Sequence, residues 1–403
     1  MNMPPAGIMA EATRLTRAGR LSEATALLRG LLRGEAPQTP ASEHPAAAPP
    51  LNRAGRILDV DPATGEALDP APAGLAPSPA SATGSAPGSI LDRLRGTGHR
   101  GRRHAPPART PEPLPDGASF TTFTYANAAG SRACKLYQPA MRRAGPPPLL
   151  VMLHGCTQSP DDFAAGTRMN ALAEEHGFLV AYPAQAPSAN AQRCWNWFSP
   201  GDQRRGGGEP SLIAGITRQV MRDHGVDARR VYVAGLSAGG AAAAVLGLAY
   251  PDLYAAVGVH SGLACGAAAD VPSAFAAMRG GAPAVPPRPG GAPGLVPTIV
   301  FHADRDGTVH PRNGDQVITQ AGAAAPHTLR RAVEHGQVPG GHAWSRTRHL
   351  DDEGHAVLEQ WLVHGGGHAW SGGSPAGSYT DPRGPDASGA MVRFFLDHRL
   401  EGV

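Results

Sequence analysis

Val231-Tyr-Val-Ala-Gly235-Leu-Ser237-Ala-Gly239-Gly240 decides the architecture of this chain. Its first six residues form an apolar run of strand length, and the alanine-rich run from Ala238 to Tyr250 has the composition of a buried helix. Between them a G-x-S-x-G sets a serine on a sharp strand-to-helix turn. Gly235 and Gly239 have no Cβ, which lets strand and helix approach closely enough to hold such a turn. The start of the helix also offers N–H groups without intrahelical partners, which attract developing negative charge. In a chain with 52 glycines such a pentapeptide also arises by accident as an ordinary turn. The flanking strand and helix therefore carry the argument.

Outward from this turn, strand-like and helix-like segments alternate. Strands are predicted at Phe120 to Tyr125, Ala133 to Gln138, Leu149 to Leu153, Leu179 to Tyr182, Val231 to Leu236, Ala255 to His260, Thr298 to His302 and Val357 to Val363. Helices are predicted at Pro160 to His176, Ser211 to Asp223, Ala238 to Tyr250, His310 to Gln320 and Asp386 to His398. The first two strands adjoin without a helix and suit an antiparallel edge; the rest alternate as in a parallel sheet covered by helices on both faces. A mostly parallel α/β sheet carrying a serine on such a turn is the α/β-hydrolase arrangement. One domain over residues 117–403 follows.

Ahead of that domain the composition changes. Hydrophobic residues are 41 % of 403 and aromatics only 5 %, with 41 prolines, so part of the chain lies outside a packed core. Residues 34–116 are dominated by Ala, Pro, Gly and Ser and read as a disordered linker. Residues 1–33 repeat Leu and Ala at helical spacing and read as an amphipathic helical segment. The run Arg93 to Arg109 holds six arginines and two histidines. It reads as a solvated basic stretch of linker, with no nucleic-acid partner implied.

The net charge of +3 names no partner, and Lys135 is the only lysine. Four cysteines, none in a C-x-x-C pair, exclude a disulfide scaffold and a zinc site of that type. Neither a secretory leader nor a transmembrane run is found, and the compartment is left open.

A serine hydroxyl needs a histidine to take its proton and a carboxylate to fix that histidine, and in this fold the order is Ser, Asp, His at strand ends. After Ser237, the run Pro297-Thr-Ile-Val-Phe-His302-Ala-Asp304-Arg-Asp306-Gly-Thr-Val309 is an apolar strand ending in two aspartates. Asp306 is the preferred acid and Asp304 the alternative. His368, in Gly365-Gly-Gly-His-Ala-Trp370 after the last strand, is the preferred base. A near copy, Gly340-Gly-His342-Ala-Trp-Ser345, offers His342 as the alternative. For the oxyanion, the Ala238 N–H and a donor from the His154-Gly-Cys-Thr-Gln158 turn are expected: Cys156 first, Thr157 second. The aromatic run Arg193-Cys-Trp195-Asn-Trp197-Phe198 is read either as core or as the wall of a substrate cleft. Trp195, Trp197 and Trp370 are accordingly the candidate substrate contacts. No metal or organic cofactor is implied.

Taken together, LHGCTQ, CWNWF, GLSAGG, VGVHSG, the D-x-x-V loop and GHAWSGG resemble the polyhydroxybutyrate (PHB) depolymerase family of esterases over roughly Phe120 to Leu400. The resemblance implies Ser237, Asp306 and His368 as the triad, a Cys156–Cys194 bridge, and ester substrates ranging from polymer and oligomer to small molecule. It also implies an extracellular setting. The family is similar to feruloyl and acetylxylan esterases. A peptidase of the same fold and a non-catalytic binding protein are the competing readings, and the oligomeric state is not legible.

Overall fold

Among the described residues, five strands of the main sheet are buried along their whole length: β3 (Leu149–Leu153), β4 (Leu179–Pro183), β5 (Val231–Leu236), β6 (Ala256–His260) and β7 (Thr298–Ala303). A strand buried on both sides needs a helical layer over each face of its sheet. The computed structural model, which describes residues 114–401 apart from 142, 284–293 and 326, has that arrangement. The expected helical segment at 1–33, the arginine run, and all but the last three residues of the expected linker at 34–116 lie outside the described residues.

The remaining strands of the sheet are β1 (Ser119–Asn127), β2 (Gly130–Gln138), β8 (Arg330–Gln337), β9 (Ala343–Leu350) and β10 (Ala356–Val363). The ten lie in the order β1-β2-β4-β3-β5-β6-β7-β10-β9-β8. The six from β4 to β10 pair in parallel, while β1 and β2 at one edge and β9 and β8 at the other are antiparallel. This is the α/β-hydrolase fold.

Alternation along the strands sorts side chains to opposite faces. Leu149, Val151, Val231 and Val233 pack with Ile213 and Ile216 of α3 (Gly208–His224) and Ala241 of α4 (Ala238–Ala249). Leu150, Met152, Tyr232 and Ala234 pack with Phe163 of α1 (Pro160–Thr167) and with Met391, Phe394 and Phe395 of a C-terminal helix, Ala387–Leu396.

Three features depart from the sequence reading. The single helix expected at Pro160 to His176 is two, α1 and α2 (Met169–His176), because Arg168 between them is left-handed at φ 54°. An unexpected helix, α5 (Val271–Gly280), starts on an Asp270/Ser273 capping box and precedes α6 (Arg312–Gly322); the C-terminal helix is α7. The hairpin β8–β9 also went unread, since both strands are polar and at most partly buried over nearly their whole length.

The turn at Ser237 depends on contact between backbones. A Cβ on Gly235 would stand 2.3 Å from the Gly239 carbonyl carbon, and one on Gly239 would stand 2.1 Å from the Leu153 oxygen at the end of β3. Because these neighbours are main chain, no rotamer change relieves the overlap. Gly239→Ala is expected to destabilise the protein at the upper end of the ~1–3 kcal/mol typical of overpacking, or beyond it. The check is a urea unfolding curve, and an unchanged midpoint would show that the strand and helix are not so tightly apposed.

Candidate active site

Parallel pairing brings the C-terminal ends of β3, β5, β6, β7 and β10 side by side, and each end delivers one part of the site. Ser237 follows β5 with φ 57° and ψ −119°, a sparsely populated conformation. Such strain costs on the order of 1–3 kcal/mol, comparable with the roughly 1.5–3 kcal/mol from burying one Leu or Val side chain. Hydrogen bonds hold it on both sides: Ser237 N–H donates to the His260 carbonyl (2.8 Å) and its carbonyl accepts from Ala241 N–H (2.9 Å). The Ala238 N–H belongs to the first turn of α4, where a helix supplies no internal acceptor.

Asp306, in the loop after β7, has its side chain fully buried. Its Oδ1 accepts the N–H groups of Thr308 (2.9 Å) and Val309 (2.8 Å), and its Oδ2 accepts from His368 Nδ1 at 2.7 Å. Burial opposes its ionisation. The hydrogen bonds from His302, His368 and the Val309 N–H outweigh that penalty and hold its carboxyl far below the usual range. A carboxylate has no proton to give, so Nδ1 of His368 carries the hydrogen and Nε2 is left to accept one. Among the described residues the Ser237 hydroxyl makes no hydrogen bond to His368, a contact that in resting sites often forms only with substrate.

Asp304, the alternative acid, holds the two loops together. Its Oδ1 accepts Gly365 N–H (2.7 Å) and its Oδ2 meets His364 Nδ1 (3.0 Å). Asp304 N–H and Arg305 N–H donate to the carbonyls of Val363 and Gly366. The loop carrying Asp306 is thereby stitched to the loop carrying His368. The duplicated motif is engaged elsewhere: His342 Nε2 meets Asp381 Oδ2 at 2.7 Å, and Asp381 also accepts from Arg383.

The turn after β3 is locked from several directions. Gly155 N–H donates to Gln158 Oε1 (2.9 Å), and Cys156 is bonded to Cys194. Thr157 N–H donates to the Gln192 carbonyl at 2.7 Å, which removes Thr157 as an oxyanion donor and corrects that second choice. The Cys156 N–H makes no such bond among the described residues.

The tryptophans are also corrected. Trp195 and Trp370 are 0 % and 1 % exposed, and Trp197 is buried as well, so none forms an open cleft wall. Trp195 Nε1 donates to the His154 carbonyl (3.0 Å), bracing the turn after β3. Trp370 stacks on His260, 4.9 Å between ring centres, and donates to Ser388. An aromatic that does stand at the surface near this turn is Tyr379, 48 % exposed at φ 52°, with its hydroxyl 3.2 Å from Thr157 Oγ1. No periodicity marks it in the sequence. His154 and His260 were also missed as supports: His154 Nε2 accepts Gln185 N–H (3.1 Å), and His260 Nε2 accepts Ser371 N–H (2.9 Å). Burial pushes these imidazoles down to about 4 and about 3. No group of three or more His, Cys, Asp or Glu among the described residues is arranged to hold a metal ion.

The esterase family of PHB depolymerases matches residues 133–325, a span that contains Ser237 and Asp306 and stops before His368. Poly(3-hydroxyalkanoate) depolymerase C of Paucimonas lemoignei is 32 % identical over 260 residues, 62 % of this chain and 60 % of that protein. Feruloyl esterase B of Thermothelomyces thermophilus is 35 % identical over 129 residues, 32 % of this chain and 43 % of that protein. An acetyl xylan esterase from Aspergillus awamori superposes with a TM-score of 0.51 at 20 % identity, over 62 % of this chain and 94 % of the other, a likeness of fold. The chain thus spans 60 % and 43 % of the lengths of these two curated relatives.

Two measurements test the supports. Because His154 and His260 have lowered values when folded, the unfolded chain takes up protons first as pH falls, and stability declines from about pH 6.5 towards pH 4 and 3. Urea unfolding should show a loss of roughly 2 kcal/mol per histidine between pH 7 and pH 5; a flat profile would contradict neutral, buried rings. The Cys156–Cys194 bridge closes a span of 38 residues. Cys194→Ser should destabilise by roughly 3–4 kcal/mol in the chain-entropy view, read as a fall in melting temperature that reducing agent reproduces in the parent protein.

Proposed function

We propose that this chain, whose residues 133–325 match the esterase family of the PHB depolymerases, is a serine carboxylic-ester hydrolase acting on poly(3-hydroxybutyrate)-type polyesters, their oligomers or related short-chain esters. The observation that supports the reading is the Asp306–His368 hydrogen bond, made by the loops after β7 and β10 of the same parallel sheet whose β5 ends in the strained Ser237 turn.

In this reading Ser237 Oγ attacks the ester carbonyl while His368 Nε2 takes its proton. Asp306 keeps the imidazole in the tautomer that can do so and stabilises the imidazolium. The N–H groups of Cys156 and Ala238 receive the oxyanion. Collapse of the tetrahedral intermediate breaks the C–O bond, and His368 returns the proton to the leaving alcohol. Water, deprotonated by the same nitrogen, then attacks the acyl-serine and releases the acid.

Hydrogen bonding between a serine, a histidine and an aspartate does not by itself select Ser237. Ser345 Oγ lies 2.8 Å from His364 Nε2, and His364 meets Asp304, which makes a second Ser–His–Asp chain. Ser345, however, sits inside β9, paired on both sides, with no helix terminus behind it to receive an oxyanion. A feruloyl-esterase preference is the second reading, favoured by the feruloyl esterase relative.

Ser237→Ala should lower kcat/KM for p-nitrophenyl butyrate by at least about 1000-fold without changing the melting temperature. Retained activity would remove Ser237 from the mechanism. Rates on 3-hydroxybutyrate oligomers beside methyl ferulate decide the acyl class: faster turnover of the ferulate would replace the polyester reading.

A further inference from the structure

Away from the loops that carry Ser237, Asp306 and His368, a cavity of about 410 Å³ opens between β1, α3 and the end of α4. Arg218 and Arg222, one turn apart on α3, line it together with Arg205, Tyr125 and Tyr250. Like charges at this spacing repel along a helix. Arg205 binds Asp252 through two bonds of 2.6 Å, and the charge of Arg218 also acts on that carboxylate without bonding to it. Neither Arg218 nor Arg222 has an ion pair or hydrogen bond among the described residues; the guanidinium of Arg218 rests 5.4 Å from the centre of the Tyr250 ring, and that of Arg205 4.9 Å.

The remaining polar groups point the same way. Tyr250 Oη accepts Gly206 N–H and keeps its own hydrogen to donate. Asn127 is engaged at both ends, giving to Ser211 and accepting from Ala129. The uncommitted hydrogen-bonding groups are thus mainly donors, two of them permanent cations. A cavity of this character is complementary to a ligand with several anionic acceptors, and its volume exceeds what a single oxyanion fills.

We propose that this cavity binds a small di- or triphosphate group through Arg218 and Arg222, with hydroxyl support from Tyr250. The assignment is independent of the esterase reading.

The test uses the full chain and inorganic pyrophosphate, followed by calorimetry in 150 mM NaCl, with ADP in a parallel arm. One saturable site with Kd on the order of 1 mM or below is expected, weakened about tenfold or more in R218Q/R222Q. Tighter binding of ADP would indicate a nucleotide; equal binding would indicate the diphosphate alone. R102Q/R103Q, in the arginine run before the hydrolase domain, should bind as the parent does. Absence of a saturable site in the parent overturns the proposal. So does binding that survives R218Q/R222Q or disappears in R102Q/R103Q. Equal melting temperatures show that the variants remain folded, and p-nitrophenyl butyrate hydrolysis is expected to be unchanged in R218Q/R222Q.

Discussion

The contact of Gly239 with the ends of β3 fixes more of this molecule than any other single approach. A helix can start directly behind Ser237 only because its first turn lies against the Leu153 and His154 carbonyls with no side chain between them. That approach sets the position of α4, and the alanines of α4 let it lie flat on β5 and β6. It also places the Ala238 N–H within the same strand-end cluster as the turn that bears Cys156. Backbone strain at Ser237 is tolerable because packing on both faces of the sheet far exceeds the cost of one unfavourable φ/ψ pair.

Around that fixed point the structure is made of short ties between neighbouring strand ends. The acid loop is closed on itself, since Asp306 accepts Thr308 and Val309 N–H while His302 Nε2 meets the Val309 carbonyl at 2.8 Å. Asp304 then joins that loop to the one after β10. Two aspartates separated by one residue therefore do different things: one orients the imidazole of His368, and the other sets the spacing that lets it do so. On the opposite side, Glu209 accepts Asn196 N–H (2.7 Å) and Asn196 Nδ2 (2.9 Å), anchoring the aromatic loop that the disulfide attaches to the turn after β3.

The parallel core was legible because its strands are apolar on both faces, so Leu149 to Leu153, Val231 to Leu236 and Thr298 to His302 stand out in the sequence. The β8–β9 hairpin was not, because its stability comes from polar cross-strand contacts such as Arg348 and Arg346 on Glu334. Hydrophobic periodicity does not register those. Arg168 broke a helix through its φ, a property that residue identity does not announce. Order and context in the sequence single out Ser237, Asp306 and His368, and of these the structure joins Asp306 and His368 by a hydrogen bond. The tasks of the tryptophans were not, since the partner that turns Trp195 into a brace, the His154 carbonyl, is 41 residues away in the chain.

Besides the contact of His302 with Asp306, three histidine–aspartate pairs gather at one end of the sheet among the described residues: His368 with Asp306, His364 with Asp304 and His342 with Asp381. Pairing by itself therefore does not mark a base. Asp381 shares its charge with Arg383, and His364 faces a serine locked in a strand. Only Asp306 combines a fully buried carboxylate with two backbone donors on its other oxygen, so its charge acts on His368 with little solvent screening. What separates that pair from its neighbours is the environment of the carboxylate, which the repeated Gly-His-Ala-Trp motif does not encode.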